Sequence, residues 1–334
     1  MLVHREIENF SPSPARPLFL AIGNFDGVHL GHQNILRRVA EDAKRCNGTA
    51  AVFTFPEHPQ KILHTGQGPL LLSPVEQKIF LLEKFGIEVC FLQSFTEAFS
   101  KLEAEDFVQK ILCGYLKVKK VYMGYNARFG HGRKGDGDLM RTLAEQYGFE
   151  FEKAAPVEIT GNPVSSSRIR WLVEAGEFEK AAECLGRPWS FFAKVIHGQG
   201  HGAGLGYPTA NFDMSGRVLP PLGVYPMAVR KLDVREKKQG DAFFLEINPE
   251  GSWMMSAANC GYRPTIHPEA KEIVLESFIL DQPGIELYGS TLEVLFYPRL
   301  RGERAFSTKE ELQKQISCDI EAVRDRFKAF FPSS

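Results

Sequence analysis

The chain has 334 residues, 43% hydrophobic and 24% charged, with a formal net charge of −1. That length accommodates two domains of roughly 100 to 200 residues each, and the near-zero charge excludes a global field that gathers nucleic acid. No apolar stretch approaches the roughly 18–20 residues of a membrane span, and the N-terminus lacks a signal-peptide pattern. The six cysteines (46, 90, 113, 184, 260, 318) are scattered with no CxxC pair, which suits reduced thiols in a cytoplasmic protein.

In chain order, the apolar run Leu18 to Ile22 reads as a buried strand. The turn Gly23-Asn24-Phe25-Asp26-Gly27-Val28-His29-Leu30-Gly31-His32 follows, and then a helix with Ile35, Leu36, Val39 and Ala43 on one face. Ala50 to Phe55 is a second strand. Pro74 to Phe85 is a helix with Ser73 as its expected N-cap. Val89 to Leu92 is a third strand, Ala104 to Leu116 a helix, Lys120 to Met123 a fourth strand, Asp138 to Tyr147 a helix, and a short strand begins at Phe149. Strands alternating with helices imply a mostly parallel sheet covered on both faces, with ligands at the carboxyl ends of its strands.

Ser166 to Leu185 has a purely helical pattern, and Gly186-Arg187-Pro188 ends it. Beyond it, short segments near 190–197, 223–231, 242–248, 253–259, 273–280 and 291–297 alternate with turn residues, as in a small antiparallel sheet or barrel. Lys309 to Phe330 places Leu312, Ile316, Ile320, Val323 and Phe327 on one stripe, predicting a closing helix. The change of pattern puts a domain boundary at Gly186, dividing the chain into 1–186 and 187–334.

The turn carries the first chemistry. Glycines let backbone approach phosphates, a helix start offers N–H groups and a positive dipole end, and two imidazoles three residues apart can donate to oxygens that gain charge. A zinc pair is the competing reading, but no Cys or carboxylate cluster nearby completes a ligand set; a pair of satisfied structural histidines is another. In the second half, the glycines of 198–206 fit a flap over phosphates better than a dinucleotide fingerprint, because Pro208 blocks the helix such a motif opens. Thr209 and Asn211 share a face of an extended segment and offer hard oxygens suited to Mg²⁺ held jointly with a nucleotide, while taken as an isolated pair they read as a polar turn. Glu276 stands in the apolar run Ile273 to Leu280, either facing water or acting as a base toward an attacking hydroxyl.

The string Gly-x-Phe-Asp-x-x-His-x-Gly-His resembles the HxGH signature of nucleotidyltransferases. With Thr54-Phe55, His58-Pro59, Gly124 to Gly130 and Ser165 to Arg170, the first half resembles the FMN adenylyltransferase part of bacterial FAD synthetases. Pro208-Thr209-Ala210-Asn211, Gly223-Val224-Tyr225, Asn259 to Thr265, Glu276, Leu287-Tyr288-Gly289 and Leu300 to Phe306 occur in the order seen in riboflavin kinases. Nearly the whole chain is thus similar to the bifunctional riboflavin kinase/FMN adenylyltransferase family.

The resemblance implies a Rossmann-like α/β domain with a parallel sheet, followed by a six-stranded antiparallel barrel with a terminal helix. It implies two reactions: riboflavin and ATP give FMN at the C-terminal site, and FMN and ATP give FAD and pyrophosphate at the N-terminal site, with Mg²⁺ at both. By the same resemblance His29 and His32 bind ATP phosphates, with Gly23, Asn24, Phe25, Asp26, Ser166 and Arg170 framing the nucleotide. Phe55, His58, Pro59, Asn126 and Arg128 lie on the flavin side. In the second half Gly198, Gly202 and Gly204 cover the nucleotide, Thr209 and Asn211 hold Mg²⁺, Glu276 takes the hydroxyl proton, and Arg301 and Glu303 close the flavin site. Three positions depart from the family pattern. Ala127 stands where Phe is common, with Phe129 as the substitute stacking surface; Glu57 replaces Pro; and Ala203 replaces a cation, with His201 as its substitute. The alternatives are a riboflavin kinase with an inactive N-terminal half, another nucleotidyltransferase, or a non-catalytic flavin- or nucleotide-binding regulator. The expected partners are small molecules alone, without nucleic acid or membrane, in a monomer or weak homo-oligomer.

Overall fold

The structure is a computed structural model that describes residues 1–63, 68–197, 207, 209–262, 273–282 and 285–330. The chain forms two compact units. The first holds Met1–Arg168, Cys184–Gly186 and Arg235–Glu246, and the second Ile169–Glu183, Arg187–Val234 and Ile247–Ser334.

In the first unit, strands β1 (Leu2–His4), β2 (Leu18–Ile22), β3 (Thr49–Thr54), β4 (Val89–Leu92), β5 (Val118–Met123) and β6 (Glu150–Lys153) form a parallel sheet in the order β1-β4-β3-β2-β5-β6. Every residue of β2 is buried. Leu18, Leu20 and Ile22 meet Phe107, Val108, Leu112 and Met140 on one side of the sheet. Phe19 and Ala21 meet Leu36, Val39, Ile79 and Leu82 on the other, which is why β2 reads as a continuous apolar run. The helices are α1 (Leu30–Arg45), α2 (Pro59–Leu63), α3 (Val75–Lys84), α4 (Glu97–Ser100), α5 (Ala104–Asp106) and α6 (Gly137–Tyr147). A small hairpin, β7 (Glu158–Ile159) and β8 (Asn162–Pro163), completes the sequence-local elements.

The structure adds one strand to the sequence reading and corrects three local expectations. Strand β1 has too few residues to show a period, yet it pairs with β4 on one side and with Ala242–Phe244 on the other. Ser73 does not cap α3: Pro74 occupies the cap without a side-chain bond, and Ser73 Oγ accepts the Gly27 N–H at 3.2 Å instead. The helix from Ala104 widens to a π-helix over Phe107–Tyr115. The single helix expected over 166–185 is two, α7 (Ser166–Glu174) and α8 (Phe178–Leu185), because Gly176 between them adopts φ +77°.

The strands β9 (Ser190–Ile196), β10 (Thr209–Phe212), β11 (Gly223–Gln239), β12 (Ala242–Tyr262), β13 (Ile273–Ile279) and β14 (Thr291–Phe296) follow the order β11-β14-β9-β10-β13-β12 and belong to the second unit, except for the β11 and β12 residues within Arg235–Glu246. A further β11–β12 pairing closes this barrel, as the antiparallel reading of the sequence predicts. The segments expected at 242–248 and 253–259 are one continuous strand. Strand β14 alternates half-buried and buried residues with period 2. Helix α9 (Lys309–Phe330) forms as predicted and packs Ile320, Val323 and Phe327 against Ala228 and Leu280.

Candidate active sites

Strand β2 has β3 on one side and β5 on the other, so its carboxyl end is the switch point of the parallel sheet. Three loops leave that end from adjacent strands: the turn 23–29 after β2, the segment from Phe55 after β3, and Gly124 to Phe129 after β5. They carry His29, His58, Asn126 and Arg128, the residues the sequence analysis brings together.

The turn is held rigidly. Gly23 N–H donates to Phe53 O at 3.1 Å. Phe25, Gly27 and Val28 all take positive φ, strain that persists only where surroundings fix it. The Asp26 carboxylate, 2% exposed, accepts the backbone N–H groups of Leu72 and Ser73. Thr54 Oγ1 donates to Asn24 O, and Ser166 Oγ to Asp26 O at 2.9 Å. Asp26 therefore shapes the turn from beneath. Phe25 is also buried, its ring 5.1 Å from that of His32.

His29 caps α1, its Nδ1 accepting the His32 N–H at 3.3 Å. That bond leaves the neutral ring with its proton on Nε2, which is then a donor. The two imidazoles stack with centroids 3.6 Å apart. Burial, then the charges of His29 and Lys78, hold the His32 pKa well below its usual 6.5, so this ring is neutral. Its Nδ1 is buried with no hydrogen-bond partner among the described residues. Gly31 lies between the pair, where a side chain would press on the His29 ring at 3.2 Å. Two stacked imidazoles at a helix N-terminus, with the His32 ring held neutral, can donate N–H groups to an anion.

Among the residues expected to face the flavin, Asn24 Nδ2 meets His58 Nε2 at 3.4 Å and His58 Nδ1 accepts the Gln60 N–H. Pro59 begins α2, and Phe55 packs edge-on against Phe53, Phe95 and Phe99. Asn126 and Arg128 are exposed, and Arg128 pairs with Asp136 at 3.0 Å. Glu57 pairs with Lys61. Phe129 does not supply the stacking surface expected of it, because it is buried against Phe107 with Gly135 pressed onto its ring. Arg170 is buried and belongs to the second unit.

In the barrel, Asn211 lies opposite Glu276 on the neighbouring strand, and Asn259 lies opposite Glu276 on the other side. Residues opposite one another in a ladder share a face, so Thr209, Asn211, Glu276 and Asn259 line one surface. Asn211 is 4% exposed, and its Oδ1 is buried with no partner among the described residues. A lone buried carbonyl oxygen beside a hydroxyl suits a hard cation whose other ligands come from a nucleotide. No cluster of three His, Cys, Asp or Glu side chains among the described residues holds a metal by itself. The Glu303 carboxylate lies against Gly261, where a side chain would collide with it; burial first, and then the Glu303 charge, push the Cys260 thiol up to about 12. Arg301 grips Asp319 of α9 through Nε and Nη2, at 3.0 and 2.7 Å. Gly198, Gly202, Gly204, His201 and Ala203 lie outside the described residues.

A family model described as FAD synthetase matches residues 11–168, and one described as riboflavin kinase matches residues 185–327. The bifunctional riboflavin kinase/FMN adenylyltransferase of Escherichia coli (strain K12) is 31% identical over 327 residues, covering 98% of each chain. The protein of the same description from Haemophilus influenzae is 32% identical over 314 residues, covering 94% of each. The chain belongs to the bifunctional riboflavin kinase/FMN adenylyltransferase family.

A solved structure described as a macrolide-efflux protein from Streptococcus pneumoniae is similar in fold, with TM-score 0.75 and 25% identity over 96% of this chain and 98% of that one. No helix among the described residues is long and apolar enough to cross a membrane. Sequence reasoning missed three residues in this family member. Lys78 is 2% exposed beside the histidine turn, Asp319 is 8% exposed and holds Arg301, and Asn259 faces Glu276. Only Asn259 had a local signal, its place in the stretch 259–265.

Proposed function

We propose that the chain phosphorylates riboflavin to FMN with ATP in its C-terminal half and converts FMN and a second ATP to FAD and pyrophosphate in its N-terminal half. One observation carries this reading: the likeness to relatives named for both activities spans 98% of the chain. The two modules are taken as residues 1–186 and 187–334.

For adenylyl transfer, a phosphate oxygen of FMN attacks the α-phosphorus of ATP, and the bond from that phosphorus to the bridging oxygen breaks, releasing pyrophosphate. His29 and His32 donate to the α-phosphate oxygens as they gain charge, each such donor contributing about 10²–10³ in rate. Gly23, Asn24, Phe25, Asp26, Ser166 and Arg170 frame the nucleotide, the first four through the turn they build. Phe55, His58, Pro59, Asn126 and Arg128 receive the flavin.

For phosphorylation, the ribityl hydroxyl attacks the γ-phosphorus, its proton passes to the Glu276 carboxylate, and ADP leaves. Thr209 and Asn211 would hold Mg²⁺, supported by the Asn211 Oδ1, which has no partner among the described residues. The ion supplies charge neutralisation at the phosphates. Gly198, Gly202 and Gly204 cover the nucleotide, and Arg301 and Glu303 close the flavin site.

Incubating the protein with riboflavin, ATP and Mg²⁺ and separating the flavins by chromatography tests the proposal. FMN followed by FAD is expected. FMN alone would mean a kinase with an inactive first half, and neither product would overturn both assignments.

A further inference from the structure

Lys78 sits on α3, 2% exposed, with no role in the family signature read from the sequence. Its Nζ donates to Phe55 O at 2.7 Å. Burying an ammonium is costly even after relaxation, and methionine would fill the same volume without that cost. A charge kept at such a position has a task.

The hydrogen bonds around it form a closed circuit. The Asp26 carboxylate binds the Leu72 and Ser73 N–H groups, and Ser73 Oγ accepts the Gly27 N–H, so the residues leading into α3 are fastened to the histidine turn. Lys78 N–H donates to Pro74 O in the first turn of that helix. From there its side chain reaches Phe55 at the carboxyl end of β3. The chain then runs to His58, whose Nε2 meets Asn24, back in the turn. Thr54, beside Phe55, also bonds Asn24 O. Asp26 is the carboxylate whose field favours the buried ammonium, against the desolvation that dominates.

We propose that Lys78 is a positioning residue for adenylyl transfer: its buried ammonium holds the flavin-side segment Phe55–Pro59 at a fixed place relative to the paired imidazoles. The inference rests on the N-terminal activity proposed above. Lys78 touches neither substrate. It acts through the Phe55 carbonyl, so its loss loosens the FMN side while the nucleotide turn keeps the Asp26, Ser73 and Ser166 bonds.

The test is steady-state kinetics of FAD formation by the full chain carrying Lys78→Met, Lys78→Gln or Lys78→Arg, with thermal unfolding alongside. Lys78→Met is expected to raise KM for FMN by about 10-fold or more, the worth of one hydrogen bond to a charged group. KM for ATP should stay within about 2-fold. Lys78→Arg, which keeps charge and donors, is expected to recover much of the FMN affinity. An unchanged KM for FMN in Lys78→Met overturns the role, as does a parallel rise of both KM values that tracks a fall in Tm. Should Lys78→Met not fold, Lys78→Gln and Lys78→Arg carry the same comparison. A wild-type protein that makes no FAD overturns the activity itself; FAD made equally well by wild type and variant overturns the role of Lys78 alone.

Discussion

The ring of His29 stacks on that of His32 while accepting its backbone N–H, so one imidazole is both the N-cap of α1 and half of the proposed phosphate clamp. The two duties separate by substitution. His29→Ala removes both and is expected to lower stability by about 1 kcal/mol through the lost cap. His29→Asn restores a good cap without an imidazole. Both variants should form FAD about 10²–10³ times more slowly, while FMN formation from riboflavin continues. Recovery of FAD formation together with Tm in His29→Asn would show that the ring serves the helix alone.

His32 makes stability depend on pH. The folded protein resists protonating it, whereas the unfolded chain takes up the proton near 6.5. Above that pH both states are neutral there and the contribution is flat. As pH falls below 6.5 the unfolded state binds more protons, and stability declines until the depressed folded value is reached. His4, also lowered by burial with Asp241 opposing, adds in the same direction. Thermal unfolding followed between about pH 5 and about pH 8 should show a shallower acid-side slope in His32→Gln, with the His4 part remaining. Equal slopes in wild type and variant would mean that His32 is not held neutral.

How much of this was readable beforehand follows from sequence distance. The histidine turn, its flanking strand and α1 are contiguous, so their pattern is local and the sequence reveals them. In the barrel, β9, β11, β13 and β14 were legible as short apolar runs between turn residues, whereas β12 read as two segments and the four-residue β10 was not among the expected strands. Lys78 was not, because its partner Phe55 is 23 residues away and a lysine within an amphipathic helix reads as solvated. Asp26 reads locally as part of the nucleotide turn, and its bonds to residues 46 and 47 positions away, which fasten the segment leading into α3, leave no local pattern. Ser73 had the right residue type for a cap and was drawn off by Gly27, a tertiary bond overriding a local propensity. Strand β1 is three residues long and exists through its neighbours β4 and Ala242–Phe244.

Asn211 offers a sharper test of the barrel site than loss of activity alone. Its Oδ1 is buried without a partner among the described residues, an arrangement that costs about 1–3 kcal/mol. Asn211→Ala removes that oxygen, so Tm should hold or rise even as the Mg²⁺ concentration for half-maximal riboflavin phosphorylation climbs by about 10-fold or more. Glu276→Gln, directly across the ladder, should leave the Mg²⁺ requirement in place and lower kcat by about 10²–10⁴. FAD formation from supplied FMN should survive in both. A fall in Tm with an unchanged Mg²⁺ requirement in Asn211→Ala would make the residue structural.

Asp319 of α9 holds the guanidinium of Arg301, the residue proposed to close over the flavin. The pair is bidentate, with side chains 22% and 10% exposed, and Gln315 donates a further bond to Asp319 Oδ1 at 2.9 Å. Arg301 is also held by its backbone, since its carbonyl accepts the Val224 N–H at 2.9 Å. Asp319→Asn keeps the shape and removes the charge, leaving the guanidinium half-buried and free to swing. The expected cost is about 1–3 kcal/mol in urea unfolding, less than for a fully buried pair because part of it is solvated. If Arg301 closes over riboflavin, its KM should rise several-fold with a smaller change in kcat, and the adenylyl transfer rate with supplied FMN should not move. An Asp319→Asn variant with wild-type riboflavin KM and lowered stability would confine the pair to anchoring α9.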